Sequence, residues 1–223
     1  MRASTPSAGV PHKSVYRDAF VQNVHRLLGM GYEKVRQAFA GDALRRKEEP
    51  EITGRMVENM AEVIEACDSP DWVKDYQVQE DVRLDYDGKE GIRRPYVDIV
   101  VVLRAPSGPW QRFHFEAKNI KSTDSLSTYL SNAGLGRLLR GYYARGHEHA
   151  GMLGYVQVGV CDDWATEVKN VLGQCRNDFG LPPRGEYWSK RSDVPALSSL
   201  YTSSHPRAKD CPKQIHHTFL LCY

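Results

Sequence analysis

The sequence predicts an α/β fold from two patterns of apolar residues. Between Ile52 and Ile64, apolar side chains recur every three or four positions, which is the spacing of one buried face of a helix. Residues 96–103 instead form a short, nearly continuous apolar run, and apolar residues alternate with polar ones over 113–117; both patterns are typical of strands. Helices and strands with these patterns bury their apolar faces when the helices pack onto the sheet.

The first quarter of the chain is predicted to be helical after a flexible tail. Residues 1–13 are rich in Ser, Ala, Pro and Thr and contain no apolar core, so we expect a flexible tail there. Residues 14–47 are expected to form a helical extension of one or two short helices, broken at residues 29–31. The next helix begins at Pro50, which suits a first helical position, and ends near residues 68–70.

The remaining elements alternate between strands and helices. The predicted order is a strand over 72–84, a turn at 86–91, strands over 93–103 and 112–120 joined by a loop at 105–109, a helix over 126–145, a strand over 154–161, a helix over 164–175 capped by Asp162, a polar stretch over 182–212 and a closing strand over 215–223. Three glycines within 126–145 make that helix irregular.

The bulk properties fit one domain with extensions. The chain has 223 residues, of which 41% are hydrophobic, and a net charge of +2, so it is long enough to bury a substantial core. No apolar stretch approaches the roughly 18–20 residues that a membrane-spanning helix needs, so no membrane partner is expected. The five cysteines are widely spaced, which favours reduced thiols and a cytoplasmic location.

Three charged residues in apolar strands indicate a catalytic site. Glu116 and Lys118 are two positions apart and therefore point to the same face of a strand, while Ala117 points to the other. Asp98 lies eighteen positions before Glu116, inside the apolar run 96–103. Because an unpaired buried charge is costly, such residues are usually paired or bound to metal. We interpret them as a metal-dependent phosphodiesterase arrangement, with a surface ion pair between Glu116 and Lys118 as the alternative.

These residues resemble the motif of the PD-(D/E)XK nuclease superfamily, which has the restriction-endonuclease-like fold. Asp98 matches the first acid, Glu116 the second and Lys118 the lysine, although Val97 stands where the motif has proline. The resemblance covers roughly residues 48–161. It implies a nuclease core over 48–175 with the order helix, three strands, helix, strand, preceded by N-terminal helices and followed by a C-terminal extension over 176–223 with a closing strand.

The resemblance also implies a cofactor and a role for each site residue. Asp98, Glu116 and the backbone carbonyl of Ala117 would bind Mg²⁺, for which Mn²⁺ is expected to substitute, and Lys118 would orient or activate the attacking water. Many members of the superfamily add a glutamate from the first core helix. We expect Glu51 in that role, or else Glu49, while acids favoured by the helix dipole are the alternative explanation.

The helix after the site contains candidate nucleic-acid contacts. Glycine permits close approach of a backbone, and arginine binds phosphate oxygens. An ordinary solvated helix face is the alternative. The polar stripe consists of Tyr129, Asn132, Gly136, Arg140 and Tyr143, with Arg137 beside it, and the arginines and tyrosines are the predicted contacts.

Two histidine-containing segments are weaker candidates for zinc sites. His147 and His149 are better explained as a loop that follows a helix. His216 and His217 are neighbours on the last predicted strand and project to opposite faces, which disfavours a shared site with Cys211 and Cys222.

The function predicted from these features is a metal-dependent nuclease that hydrolyses DNA. We expect an endonuclease in a prokaryotic restriction, defence, mobile-element or repair setting, which assembles as a homo-oligomer or with a partner chain that supplies recognition or activation. RNA cleavage and exonuclease action are alternatives within this class. A catalytically silent nucleic-acid-binding or assembly module of the same fold, and a metalloenzyme acting on a smaller phosphate ester, are alternatives outside it.

Overall fold

Two N-terminal helices pack together and cover one face of a sheet. A computed structural model describes residues 12–38, 44–83, 96–104, 110–141, 144, 146–206 and 213–223. Helix α1 (His12–Ala38) is followed by a 3₁₀ turn (Leu44–Arg46) and by α2 (Glu49–Glu65). As predicted, α2 buries one face, since Ile52, Met56, Met60 and Val63 have almost no exposed surface.

The expected break at residues 29–31 does not occur, because α1 runs through both glycines without interruption. A Cβ atom at Gly31 would lie 2.5 Å from Cγ of Met60 on α2, and one at Gly29 would lie 2.9 Å from Cβ of Ala196. Both contacts are closer than packed carbon atoms tolerate. The glycines therefore allow neighbouring segments to approach α1, and the packing outweighs their low helix propensity.

The sheet has seven strands in the order β1-β2-β3-β4-β7-β6-β5. β3, β4 and β7 are parallel to one another, and the other neighbours are antiparallel. The structure is thus α/β, as predicted, and its sheet is mixed. The strands are β1 (Tyr76–Arg83), β2 (Tyr96–Leu103), β3 (Gln111–Ile120), β4 (His149–Val156), β5 (Trp188–Arg191), β6 (Leu200–His205) and β7 (Lys213–Leu221).

The sheet separates two apolar cores. Helices α1 and α2 pack on the face that contains Ile99, Phe113 and Phe115. Three further helices, α3 (Thr123–Leu130), α4 (Leu135–Leu139) and α5 (Cys161–Gln174), contribute to the core on the face that contains Val100 and Met152. The order α2, β1, β2, β3, α3 with α4, β4 agrees with the predicted order of helix, three strands, helix and strand.

The helix predicted over 126–145 is two short helices, α3 and α4. The chain turns at residues 131–134, where the hydroxyl of Ser131 accepts a hydrogen bond from the Ala133 N–H at 3.0 Å. A side chain at Gly134 would collide with the backbone oxygen atoms of residues 128 and 129, so the turn requires glycine. The predicted single stripe of polar side chains is therefore divided between two helices.

Two boundaries after α4 also differ from the prediction. β4 begins at His149 rather than near residue 154, and α5 begins at Cys161. Val160 is the N-cap residue of α5, so Asp162 lies inside the first turn and does not cap the helix. Its carboxylate instead accepts hydrogen bonds from Lys190 at 2.8 Å and from Tyr201 at 3.0 Å, which attach α5 to the C-terminal strands.

The C-terminal part completes the same sheet. The sequence predicts only a closing strand over 215–223, but β5 and β6 lie within the polar stretch 182–212, and β7 pairs with both β4 and β6. Among the described residues, no helix combines the length and apolar character needed to cross a bilayer. The predicted tail (apart from residues 12 and 13, which begin α1), the turn at 86–91, the loop at 105–109, Tyr143 and Cys211 lie outside the described residues.

Candidate active site

The candidate site forms where β2 and β3 separate. Their antiparallel pairing extends from Leu103 opposite Gln111 to Ile99 opposite Phe115 and stops there. At the next position, Oδ2 of Asp98 accepts a hydrogen bond from the backbone N–H of Ala117 at 2.6 Å. The carboxylate thus satisfies a backbone donor on β3 and is fixed beside the Glu116-Ala117-Lys118 segment.

The ammonium of Lys118 lies among three carboxylates. Its Nζ is 2.9 Å from Oε1 of Glu49, 3.0 Å from Oε1 of Glu116 and 3.9 Å from Oδ2 of Asp98. It also donates to the carbonyl of Ala117, and only 12% of the side chain is exposed. The structure therefore brings together Asp98, Glu116 and Lys118, as predicted from the sequence, and adds one glutamate from α2.

That glutamate is Glu49, which corrects the first choice of Glu51. Glu51 is exposed, and its carboxylate accepts hydrogen bonds from the backbone N–H of Glu48 at 2.9 Å and from Lys47 at 2.7 Å. It therefore has the role that the alternative explanation gave to an acid at a helix N-terminus, as part of a capping box. Glu49, two residues earlier, points to Lys118.

A buried glutamine that the sequence analysis did not identify holds the start of α2 in place. Nε2 of Gln157 donates to the backbone carbonyls of Lys47 at 2.7 Å and Leu44 at 3.2 Å, and Gln157 is only 2% exposed. The side chain of Asn119 donates to the same Lys47 carbonyl at 3.3 Å. Two carboxamides from the ends of β3 and β4 therefore fix the segment that ends at Glu49.

Burial dominates the electrostatics of the site. It raises the pKa of Glu116 to about 7, and the nearby Asp98 carboxylate adds to this effect while Lys118 and Arg137 oppose it. Burial likewise raises the pKa of Asp98 and of Glu49. Burial alone would lower the pKa of Lys118, but the carboxylates of Glu116, Glu49 and Asp98 together raise it. Lys118 is therefore protonated at neutral pH.

The donor set fits a hard divalent cation. Among the described residues, the buried Oε2 of Glu116 has no hydrogen-bond partner, which is a costly state for a carboxylate oxygen unless a cation completes it. Two carboxylates and a carbonyl supply the oxygen ligands that Mg²⁺ prefers, with waters as the remaining ligands. A cavity of about 170 Å³ adjoins Glu49, Asp98 and Tyr96. Across the described ranges, no three His, Cys, Asp or Glu side chains already surround a common point as metal ligands.

Arg137 lies in the site rather than on an outer helix face. Its NH1 donates to Oε1 of Glu116 at 3.0 Å, and its guanidinium lies 6.0 Å from the centre of the Tyr96 ring. Arg140, one turn later, is exposed and lines a cavity of about 440 Å³ together with Asn132 and Phe179. The two predicted arginine contacts therefore face different surroundings.

Tyr129 is not available to a nucleic acid, which corrects its predicted role. It is fully buried, and its hydroxyl is 2.9 Å from Nδ1 of His217. A chain of hydrogen bonds continues from Nε2 of His217 through Ser203 and Nε2 of His205 to the carbonyl of Phe179, with spacings of 2.7, 2.6 and 2.8 Å. The carbonyl can only accept, so with both imidazoles neutral every hydroxyl and ring N–H must donate towards Phe179.

His216 points to the opposite face of β7, as the alternation of a strand predicts. Its Nε2 is 3.1 Å from Nδ1 of His149 and its Nδ1 is 3.1 Å from NH1 of Arg191, while its ring lies 4.8 Å from that of His25 on α1. Burial lowers the pKa of His25 and of His149 to about 4. His25 and His216 are buried, His149 is half-buried beside them, and His216 and His217 do not share a site.

Comparison with protein-family models, curated proteins and solved structures finds no match to this chain. What the site can do therefore follows from its own chemistry. That chemistry is a buried carboxylate pair with one unsatisfied oxygen, a protonated lysine between acids, and an arginine at the entrance.

Proposed function

We propose that this chain is a metal-dependent nuclease that hydrolyses phosphodiester bonds in DNA. The observation that carries the proposal is the position of the Lys118 ammonium, within 4 Å of Glu49, Glu116 and Asp98 at the point where two strands separate. Purely structural ion pairs rarely gather two buried acids and a third, half-buried acid around one lysine, because each buried carboxylate costs free energy. The order of helix, three strands, helical segment and strand around this point supports the resemblance to the PD-(D/E)XK superfamily.

The residues divide the chemistry among them. Asp98, Glu116 and the Ala117 carbonyl would hold Mg²⁺ or Mn²⁺, which would act as a Lewis acid that neutralises charge on the phosphoryl oxygens. Lys118 carries its proton and so acts as a hydrogen-bond donor that positions the attacking water and stabilises negative charge as it develops. Glu49 accepts a hydrogen bond from Lys118 and fixes the direction of its Nζ.

The finer features of this function follow from the same proposal. We expect endonuclease action in a prokaryotic restriction, defence, mobile-element or repair setting, with target recognition supplied by a second copy or a partner chain. The second candidate is a nucleic-acid-binding or assembly module without turnover. The ion pair between Arg137 and Glu116 favours it, because a cation of the protein already occupies one oxygen of a predicted metal ligand.

The test is cleavage of plasmid DNA, linear DNA and RNA with Mg²⁺, Mn²⁺ or EDTA, with Mn²⁺ binding followed by calorimetry. Wild type should cleave DNA only with metal. Lys118→Ala should lose at least about 100-fold in rate yet keep Mn²⁺ binding, because lysine is not a ligand. Asp98→Ala should lose both. Lys190→Ala, which breaks the exposed ion pair with Asp162, is the matched control and should cleave like wild type.

Three results would contradict the proposal or its details. If Lys118→Ala cleaves as fast as Lys190→Ala, Lys118 has no catalytic role. If wild type binds DNA and Mn²⁺ but cleaves neither DNA nor RNA under any condition, the nucleic-acid-binding module becomes the leading candidate function. A Lys118 variant that loses Mn²⁺ as completely as the Asp98 variant would show that the roles are wrongly assigned.

A further inference from the structure

The two oxygens of the Glu116 carboxylate have very different surroundings. Oε1 accepts hydrogen bonds from Lys118 and from Arg137, each at 3.0 Å, whereas the buried Oε2 has no hydrogen-bond partner in the part of the chain that the structure describes. A divalent cation at Oε2 would share this carboxylate with two positively charged side chains. Like charges a few ångströms apart in a partly buried site repel strongly, so the contact with Arg137 opposes binding of the metal.

Of the two cations, Arg137 is the more exposed. Lys118 is held by three carboxylates and is 12% exposed, whereas the side chain of Arg137 is 31% exposed. Its helix stays fixed, because the neighbouring Leu135 and Leu138 are completely buried. The guanidinium lies over the ring of Tyr96, which is itself 43% exposed, so it is at the entrance of the site. Exposed side chains change rotamer within nanoseconds.

We propose that Arg137 exchanges partners when substrate binds: it pairs with Glu116 in the free protein and with a backbone phosphate in the complex. The inference rests on the proposed nuclease function. A phosphate offers a guanidinium two parallel hydrogen bonds and a larger negative charge than one carboxylate oxygen. Its arrival both removes the repelling cation from Glu116 and brings an anion beside the metal site.

The consequence is that metal and nucleic acid bind cooperatively through one side chain. Because such coupling is reciprocal, metal must raise the affinity for nucleic acid by the same factor. The free protein would then bind metal weakly, and the complete site would form only on a bound strand. Arg137 is in this view a positioning residue that acts on metal occupancy through Glu116.

The experiment measures Mn²⁺ affinity by calorimetry, without DNA and with a saturating short DNA duplex. All proteins contain Lys118→Ala, so that the duplex stays intact. With Arg137 present, DNA should tighten Mn²⁺ binding at least about fivefold, the lower end of the range for coupled sites. Without DNA, the protein that also contains Arg137→Gln should bind Mn²⁺ at least about fivefold more tightly than the protein that contains Lys118→Ala alone. DNA should then increase the Mn²⁺ affinity of the Arg137→Gln protein only slightly.

Arg55→Gln is the matched control, because it breaks an exposed ion pair between an arginine and a glutamate, Glu58, on α2. It should keep the full effect of DNA on Mn²⁺ affinity. Arg137→Lys, which keeps the charge but not the planar fork, should show a reduced effect, and it serves as the second variant if Arg137→Gln is misfolded by circular dichroism.

The outcomes separate this inference from the proposed function. The proposed exchange is overturned if DNA changes the Mn²⁺ affinity by the same factor with and without the Arg137→Gln substitution, or if DNA changes it in neither protein. Either result leaves the metal site intact. An Arg137→Gln protein that binds Mn²⁺ no more tightly without DNA overturns the exchange as well. Absence of Mn²⁺ binding in every protein, with and without DNA, overturns both proposals.

Discussion

Replacing His25 by phenylalanine should remove part of the protein's sensitivity to acid. The His25 ring is completely buried between α1 and the sheet, 5.3 Å from the ring of Phe113 and 4.8 Å from that of His216. Its Nδ1 donates a hydrogen bond to the Val21 carbonyl at 2.8 Å, and its Nε2 has no hydrogen-bond partner within the described ranges, in surroundings that cannot solvate a charge. Burial therefore lowers the pKa of His25 from 6.5 to about 4.

The magnitude follows from this difference in pKa. Below pH 6.5 the unfolded chain takes up a proton at His25 that the folded protein does not accept until about pH 4. The stability that neutral His25 contributes is therefore present above pH 6.5 and is lost as the pH falls from 6.5 towards 4. A difference of about 2.5 pKa units corresponds to about 3 kcal/mol in total, of which about 2 kcal/mol is lost by pH 5.

The assay is urea unfolding of wild type and His25→Phe at pH 8, 7, 6 and 5, followed by tryptophan fluorescence. At pH 8 the two proteins differ by packing alone, which provides the reference. From pH 7 to pH 5 the variant should lose about 2 kcal/mol less stability than wild type.

The titratable and charged groups around His25 are present in both proteins, so the difference between the two proteins reports on His25. These groups are His149, His216, Arg191 and Asp193. Parallel loss of stability in the two proteins would refute a neutral, buried imidazole at this position.

Two further predictions concern the start of α2. Glu49→Gln should slow plasmid cleavage at least about 100-fold, whereas Glu51→Gln, in the same turn but outside the site, should leave the rate unchanged; equal rates would remove Glu49 from the site. Gln157→Glu cannot donate to the Lys47 carbonyl and should lower the free energy of urea unfolding by about 1–3 kcal/mol. The amide of Asn59 donates to the exposed carbonyl of Arg55, so Asn59→Asp should lower the free energy of unfolding by less than about 1 kcal/mol. An equal loss of stability in both variants would contradict the view that Gln157 holds the start of α2 in place.

The parts of the fold and site that could be predicted depend on local pattern. The buried face of α2 and the apolar runs of β2 and β3 were correct because helix and strand periodicity is contained within a few turns or residues. Asp98 and Glu116 were found because a charge inside an apolar strand is conspicuous. Lys118 followed from its position two residues after Glu116, which puts both on one face.

The features that were missed depend on contacts between distant residues. Gln157 binds the carbonyl of Lys47, 110 positions earlier, and its own neighbourhood gives no sign of that contact. Gly31 alone predicts a break in the helix, and only its close contact with Met60 on α2 explains why glycine stands inside α1. The choice between Glu49 and Glu51 depended on the rotation of α2 relative to β3, which an acidic first turn does not reveal.

Because β7 lies inside the sheet, the sheet can be completed only after β7 has been synthesised. β7 follows every other described strand along the chain, yet it separates β4 from β6. As the chain leaves the ribosome, β4, which is buried along almost its whole length in the finished protein, has an unpaired edge until β7 has been synthesised. An apolar strand with an open edge is a template for association with other chains. We therefore expect a chain that lacks β7 to aggregate more readily than the complete protein.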